Sequence, residues 1–284
     1  MIGACAGFSS MMAIVRLLAP EIHPFEAAFF RNLFGVLCMV PWLATTRGSR
    51  LKTHRPAMHV IRAVLGMIAM LLLFTAVSLL PLAEVTALSF TAPLFATIGA
   101  AVVLREKVGI RRWTATLIGL LGALIIIRPD AGTFTPASLI ALASAAGIAA
   151  AQLSVKSLSR TEHPSAIVLI MGWLMTPMTL IPAAFVWTWP SASAYGWLAL
   201  MGVVATIGQV MLVRAMATAD ASAVMPFDFS RLIFASLLGW LIFGELPDGW
   251  TIVGGAVIVA TTVYIARREA QRFRRARRVP PPPT

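Results

Sequence analysis

Apolar runs separated by short polar segments fill the sequence from one end to the other. A helix that crosses about 30 Å of hydrocarbon needs about 20 mostly apolar residues, and ten runs approach or reach that length. They are residues 1–19, 24–44, 57–80, 82–104, 113–128, 136–158, 165–187, 194–217, 221–243 and 249–266. The pattern predicts an all-α membrane protein with ten transmembrane helices. Prolines at Pro93, Pro177 and Pro226 are expected to interrupt or kink three of them.

Short sequences recur in the two halves of the chain at nearly the same spacing. Val15-Arg16-Leu17-Leu18 recurs in the second half as Val155-Lys156-Ser157-Leu158. Leu104-Arg105-Glu106 is matched, at almost the same separation, by Phe243-Gly244-Glu245. The separation is close to half the chain. Self-similarity at a fixed spacing indicates a duplicated structural unit.

Each duplicated unit contains five predicted helices. Because five is an odd number, the second unit starts on the opposite side of the membrane and is inverted relative to the first. The expected fold is therefore two inverted-topology five-helix repeats, an architecture common among secondary transporters. We assign residues 1–135 to the first repeat, 136–266 to the second, and 267–284 to a basic cytoplasmic tail.

The composition supports an integral membrane protein. Hydrophobic residues make up 59% of the 284 residues, charged residues only 12%, and the mean hydropathy is +0.86. Soluble domains carry about 25% charged residues, so this chain has too few to coat a globule in water. Its two cysteines lie in apolar runs and suggest no disulfide framework, and no cleaved signal peptide is expected.

The net charge of +12 is unevenly distributed. Seven of the 23 basic residues lie between Arg267 and Arg278, directly after an apolar run, which favours contact with anionic lipid over nucleic acid. Other basic clusters follow the second and fourth runs, whereas the loops predicted on the opposite side carry almost none. The positive-inside rule then predicts that both termini are cytoplasmic.

Six of the ionisable residues within the predicted spans are candidates for a functional site. They are Glu26, Arg31, Arg62, Glu84, Asp228 and Arg231. A charge near the bilayer centre is costly unless it is paired or hydrated, so each is a candidate for substrate binding or coupling. Small residues share a helix stripe with two of the arginines: Gly35 and Cys38 with Arg31, and Gly66 and Ala69 with Arg62. Close helix approach along these stripes would turn both arginines toward the bundle.

A purely structural interpretation is also open for these charges. Asp228 and Arg231 are three residues apart and could form an intrahelical pair. Arg62 could extend to the cytoplasmic interface. Glu84 lies three residues after Pro81 and could reach the outer headgroups. Arginine pairs bidentately with carboxylate or phosphate, so the functional interpretation is that the arginines hold an anionic group. Carboxylates would hold an amine, a sulfonium or a proton.

The two similar halves of the chain, together with several local sequences, resemble those of a known protein family. The local sequences are Pro24-Phe25-Glu26-Ala27-Ala28-Phe29-Phe30-Arg31, Leu51-Lys52-Thr53-His54-Arg55-Pro56, Ser89-Phe90-Thr91-Ala92-Pro93-Leu94-Phe95 and Phe243-Gly244-Glu245-Leu246-Pro247-Asp248. The chain resembles the drug/metabolite transporter superfamily, specifically its ten-helix EamA-type members. The first two sequences are most similar to the S-adenosylmethionine uptake transporters of that superfamily, although Glu84 and Asp228 depart from that group.

The resemblance implies a secondary transporter in a bacterial inner membrane, without a cofactor. Its expected partners are a small polar or zwitterionic substrate and membrane lipid, with a homodimer left open. S-adenosylmethionine is the leading substrate, because it combines a carboxylate with positive centres. Export of amino acids or related metabolites, or riboflavin transport, is the alternative. We expect Arg31, Arg62 and Arg231 to hold the anionic group, and Asp228 and Glu84 to hold a cationic group or a coupling proton.

An intramembrane enzyme is the alternative from a different class. The sequence contains no Gly-x-Ser-x-Gly, His-Glu-x-x-His or Walker-type phosphate motif. Its four histidines lie in loops or at span ends without metal-ligand spacing. We therefore expect no catalytic residues and no metal site.

Overall fold

The computed structural model describes residues 1–45, 53, 55–102, 110–127, 135–158, 162, 164–218 and 230–278. All the regular elements in these ranges are α-helices. They are α1 (Ile2–Leu18), α2 (Pro24–Thr45), α3 (Pro56–Leu79), α4 (Leu82–Ser89), α5 (Ala92–Val102), α6 (Ile110–Ile127), α7 (Pro136–Leu158), α8 (Pro164–Ala184), α9 (Ala192–Thr218), α10 (Ser230–Phe243) and α11 (Gly249–Arg278). The described helices fall in all ten predicted runs, and the all-α fold is confirmed.

The fourth predicted span is two helices, because the chain breaks between α4 and α5. Phe90 and Thr91 leave the α-helical pattern, and their N–H groups donate to the carbonyls of Ala87 at 3.2 Å and Leu88 at 3.0 Å. The Thr91 hydroxyl also donates to the Leu88 carbonyl at 2.6 Å. The break precedes Pro93, whose ring nitrogen cannot donate the next helical bond. The expected interruption near Pro93 is therefore confirmed.

Helix α8 does not break at Pro177. The helix is continuous from Pro164 to Ala184 with Pro177 and Pro182 inside it. Threonine hydroxyls bond carbonyls in the same turns: Thr176 donates to Gly172 at 2.8 Å and Thr179 to Met175 at 2.7 Å. Side-chain bonds of this kind let a membrane helix tolerate proline, so the expected break is absent here. Pro226 lies outside the described residues.

Helix α11 is longer than the tenth predicted span. It continues from the apolar segment through the basic residues to Arg278. The beginning of the region assigned as a tail is thus a helical extension of the last span.

Helices from the two halves of the chain pack against each other in matching pairs. Helix α3 packs on α7, and α1 packs on α9. Helix α2 contacts both α8 and α9, and α6 lies along α11. The largest hydrophobic core joins buried residues of every described helix except α5.

The outer face of the bundle is apolar. On α6, Leu117, Leu121 and Leu124 are 57%, 56% and 49% exposed and form a stripe at helical spacing. Large exposed apolar surfaces are unusual in soluble monomers and suit contact with lipid. By length and hydropathy alone, two described helices qualify as membrane spans, Pro56–Leu79 and Ala192–Leu212, and the other apolar helices of the described chain are shorter.

Candidate functional site

A cleft between α2, α8 and α9 contains the first of the predicted site residues. The space inside the cleft is about 40 Å³, which is smaller than the usual ligand pockets of about 300–1,000 Å³. Its lining residues are Arg31, Asn32, Gly35, Val36, Met39, Leu169, Met171, Gly172, Thr206, Gln209 and Val210.

Glycines allow the three helices around this cleft to approach closely. A Cβ atom added to Gly202 of α9 would lie 2.5 Å from the Cβ atom of Phe34 on α2. One added to Gly35 would lie 2.9 Å from Thr206 Oγ1, and one on Gly172 would lie 3.1 Å from Val36 Cγ2. The predicted close approach along the Arg31–Gly35 stripe is confirmed, whereas Cys38 on the same stripe is exposed.

Arg31 is held in place by its neighbour on α2. Its Nη1 donates to Asn32 Oδ1 at 2.9 Å, and Asn32 Nδ2 donates to Thr179 Oγ1 of α8 at 3.4 Å. Asn32 is 2% exposed, so its amide is fixed between the two helices. A guanidinium has five N–H donors, and within the described part of the chain this one hydrogen bond engages it. Arg31 therefore keeps donors for a ligand in the cleft.

The rest of the cleft is neutral. Thr206 and Gln209 supply a hydroxyl and an amide, and Met39 and Met171 supply polarisable thioethers. The described lining residues include no carboxylate. The cleft therefore suits a molecule with an apolar body and hydrogen-bond acceptors, either uncharged or negatively charged.

Glu84 lies in a second cleft, away from Arg31. The space inside this cleft is about 300 Å³, and the cleft is lined by the α3–α4 turn, α6, the start of α7 and the α10–α11 connection. Ser138 donates to Glu84 Oε1 at 3.3 Å. Asp248 lines the same cleft and also accepts the Thr251 N–H at 2.9 Å. The structure thus places Glu84 beside an acidic residue that was not among the predicted candidates.

Glu26 is buried against the α8–α9 connection. It is 0% exposed, and its Oε1 accepts the Thr188 N–H at 2.9 Å and the Thr188 hydroxyl at 3.1 Å. Neither of the two clefts has Glu26 in its lining. Its contacts connect the start of α2 to the segment before α9.

The remaining candidates are dispersed. Arg62 is buried on α3 and does not line the Arg31 cleft. Arg231 lies on α10, with its guanidinium carbon 5.8 Å from the centre of the Phe8 ring, and its carbonyl accepts the Ser9 hydroxyl at 3.1 Å. Asp228 lies outside the described residues. Of the six candidates, Arg31 is thus the one that the described structure places in this cleft.

Several polar residues that the fold brings together were not predicted from the sequence. Asn32 and Gln209 line the Arg31 cleft, and Arg16 forms an ion pair with Glu245. Asn32 directly follows Arg31, and Arg16 and Glu245 both belong to the repeated sequences. Their positions in the sequence marked these residues as notable. The sequence did not show which residues they contact, because the contacting residues are far apart in the chain.

Comparison with known protein families identifies the family of this chain. The model of the EamA-like transporter family matches residues 1–128 and again residues 135–267. The chain belongs to the EamA-like transporter family. This EamA-like transporter is therefore a multi-pass membrane protein that moves small metabolites, which confirms the predicted family and the expectation that it is not an enzyme.

Curated relatives of this EamA-like transporter carry different cargoes. It is 38% identical to a riboflavin transporter of Vibrio cholerae over 89% of this chain and 86% of that protein. It is 29% identical to an S-adenosylmethionine uptake transporter of Rickettsia bellii, over 89% and 87% of the two chains. It is also 29% identical to a pseudopaline exporter of Pseudomonas aeruginosa, over 92% of each chain.

A solved crystal structure shares the fold of this EamA-like transporter. The alignment has a TM-score of 0.62 and covers 94% of this chain and 98% of the other. The two sequences are 19% identical, so the likeness concerns the fold alone.

Proposed function

We propose that this transporter carries a neutral or anionic metabolite rich in hydrogen-bond acceptors through the cleft between α2, α8 and α9, with riboflavin as the first candidate. The observation that carries the proposal is the cleft lining. Arg31, Thr206 and Gln209 provide the polar groups, and the described lining residues include no carboxylate to attract a cation.

Riboflavin matches this lining chemically. Its flat ring system carries adjacent carbonyl and ring-nitrogen acceptors, which a guanidinium fork can pair with. The thioethers of Met39 and Met171 can contact the ring. The hydroxyls of its ribityl chain can bond the Gln209 amide and the Thr206 hydroxyl. The chain is more similar in sequence to the riboflavin transporter than to the S-adenosylmethionine transporter, which also supports riboflavin as the first candidate substrate.

S-adenosylmethionine is the second candidate. It is favoured by the cleft that contains Glu84 and Asp248, because two carboxylates suit a sulfonium or an amine. In this version Arg31 would hold the carboxylate of the substrate, and Glu84 would meet its positive centres at another stage of transport.

Alternating access between two inverted repeats is the mechanism we propose. The pairs α3–α7 and α1–α9 support it. In each pair the third span of one half packs on the first span of the other half, as a two-fold relation between the halves requires. In such a fold, rocking of one repeat against the other exposes a central site to each side in turn. We further propose a bacterial inner-membrane location with both termini cytoplasmic, supported by the basic end of α11.

Binding of riboflavin to the purified transporter tests the substrate. Flavin fluorescence should be quenched saturably, and excess unlabelled S-adenosylmethionine should not reverse the quenching. Arg31→Gln removes a hydrogen bond from a charged donor, worth about 1.5–3 kcal/mol, and should weaken binding about 10- to 100-fold. Arg267→Gln, an exposed change on α11, is the matched control and should bind normally. Equal binding by the Arg31 variant would overturn the site.

A further inference from the structure

Arg62 carries a buried charge that the described fold leaves uncompensated. The residue lies in the second turn of α3 and is 9% exposed. Within the described part of the chain, its Nε and Nη1 atoms are buried without a hydrogen-bond partner. In the described part of the chain, the ion pairs are Arg16–Glu245 and His59–Glu162, and neither includes Arg62.

The burial of two of the three guanidinium nitrogens of Arg62 does not match a side chain that is fully extended into interfacial water. An arginine that extends to the membrane surface keeps its guanidinium in water, and this guanidinium has buried nitrogens. Arginine does not lose its proton under ordinary conditions. A charge buried without a partner is strongly destabilising, so a compensating anion is needed.

Glu162, whose carboxylate contacts the His59 ring, forms no ion pair with Arg62 in the described part of the chain. Glu162 Oε2 lies 2.6 Å from His59 Nε2. Glu162 Oε1 accepts the Thr53 hydroxyl and, at 3.3 Å, the Arg55 N–H. Glu162 therefore holds the segment before α3 and the first turn of that helix.

His59 adds a third nitrogen that lacks a partner in the described part of the chain, on the same face of α3 as Arg62. The two residues are three positions apart on α3, so their side chains are neighbours. His59 is 2% exposed, and its Nδ1 is buried without a hydrogen-bond partner. Because Nε2 is engaged by a carboxylate, Nδ1 donates when the imidazole is protonated. Nε and Nη1 of Arg62 and Nδ1 of His59 thus form one group of potential donors.

We propose that Arg62 and His59 form a binding site for an oxyanion of the carboxylate or phosphate class. The guanidinium would pair with two oxygens of the anion, the geometry that arginine favours. His59 would bond a further oxygen while Glu162 holds the opposite side of the ring. Neither residue lines the Arg31 cleft, so the site is distinct from the one proposed for the transported metabolite.

Thermal unfolding of the purified, delipidated transporter in a neutral detergent tests this site. Inorganic phosphate and acetate are compared with sodium chloride at equal ionic strength, and phosphatidylglycerol is added in a separate arm. A ligand that binds the folded state at about 100 times its Kd should raise Tm on the order of 5 °C. A shift with phosphate or acetate identifies a soluble anion, and a shift with phosphatidylglycerol alone identifies a lipid headgroup.

Substitutions of Arg62 and His59 test whether these residues cause the rise in Tm. Arg62→Met should abolish the shift and leave Tm in anion-free buffer equal to or above that of the wild type, because replacing an unpaired buried charge by an apolar side chain relieves its desolvation. Arg267→Met should keep the full shift with phosphate and with acetate. His59→Gln and Arg62→Lys should each reduce it, and they keep the test usable if the methionine variant does not fold.

Three results would overturn the proposal. The first is no shift with any of the three ligands in the wild type. The second is an undiminished shift in the Arg62 variants. The third is a Tm lowered by many degrees in folded Arg62→Met protein without ligand, which would indicate an internal counter-charge.

Discussion

Gly7 of α1 and Gly147 of α7 occupy matching helix crossings in the two halves of the chain. Their separation in the sequence equals that of Val15 and Val155 in the repeated sequences. A Cβ atom on Gly7 would lie 3.3 Å from the Cα atom of Gly208 on α9. A Cβ atom on Gly147 would lie 3.0 Å from the Cβ atom of Ala69 on α3. Ala69 and Gly208 also stand one repeat apart, so corresponding residues of the two halves build corresponding contacts.

Leucine at either glycine should destabilise the fold by a similar amount. Gly7→Leu and Gly147→Leu would each force helices apart, and overpacking of this kind costs about 1–3 kcal/mol. Thermal unfolding in detergent measures the effect. Gly196→Leu is the control, because a Cβ atom there meets nothing within 4 Å. If all three variants unfold at the same temperature, the crossings are not tight.

Glu26 should matter for stability and not for substrate affinity. Glu26→Ala removes the carboxylate that accepts the Thr188 N–H and hydroxyl, and a hydrogen bond to a charged group is worth about 1.5–3 kcal/mol. We expect a lower Tm and an unchanged riboflavin Kd in the folded variant. Glu26→Gln keeps an acceptor oxygen and should have a Tm between those of the alanine variant and the wild type. A large loss of affinity with normal stability would instead assign Glu26 to the substrate.

Arg16 and Glu245 should be energetically coupled. Besides the ion pair, Arg16 donates to the Val77 carbonyl at 3.3 Å and lies 5.4 Å from the centre of the Phe243 ring. Both side chains are partly exposed, so the coupling should be no more than about 1 kcal/mol. A double-mutant cycle with Arg16→Gln and Glu245→Gln measures it. Strictly additive effects would show that the pair adds nothing to stability.

Glu21 should contribute a pH-dependent link between two loops. Its carboxylate accepts hydrogen bonds from Ser191, including the backbone N–H at 2.9 Å, and these lower the pKa of Glu21 below its usual value. A lowered pKa in the folded state gives stability that is present above the unfolded pKa and is lost as pH falls through the folded one. The Tm difference between wild type and Glu21→Gln should therefore vanish in acid. If the Tm difference between wild type and Glu21→Gln instead grew in acid, the pKa of Glu21 would not be lowered in the folded state.

The helices and the local stripes were predictable because both depend on residues close together in the chain. Gly66 and Ala69 were expected to allow close approach beside Arg62, and they do pack against Met175 and Gly147. Interactions between distant residues could not be predicted in this way. The bond from Asn32 to Thr179 spans 147 residues, and which helices meet is fixed by tertiary packing and not by periodicity.

The repeat does allow some contacts between distant residues to be predicted from the sequence. The spacing of the repeated sequences relates Arg16 to Lys156 and Glu106 to Glu245. The observed Arg16–Glu245 pair joins the two halves, and the repeat relates it to a second pair of opposite charge across the halves, Lys156 with Glu106. Glu106 lies outside the described residues, and its pairing with Lys156 is a prediction from the repeat and the observed Arg16–Glu245 pair.

Counterflow of labelled riboflavin in proteoliposomes tests the central claim most directly. Liposomes loaded with unlabelled riboflavin should accumulate external label, and external riboflavin should block this while S-adenosylmethionine and amino acids do not. Arg31→Gln should reduce exchange at least about tenfold at subsaturating substrate, and Arg267→Gln should not. Exchange that only S-adenosylmethionine or amino acids support, or full activity in the Arg31 variant, would contradict the account.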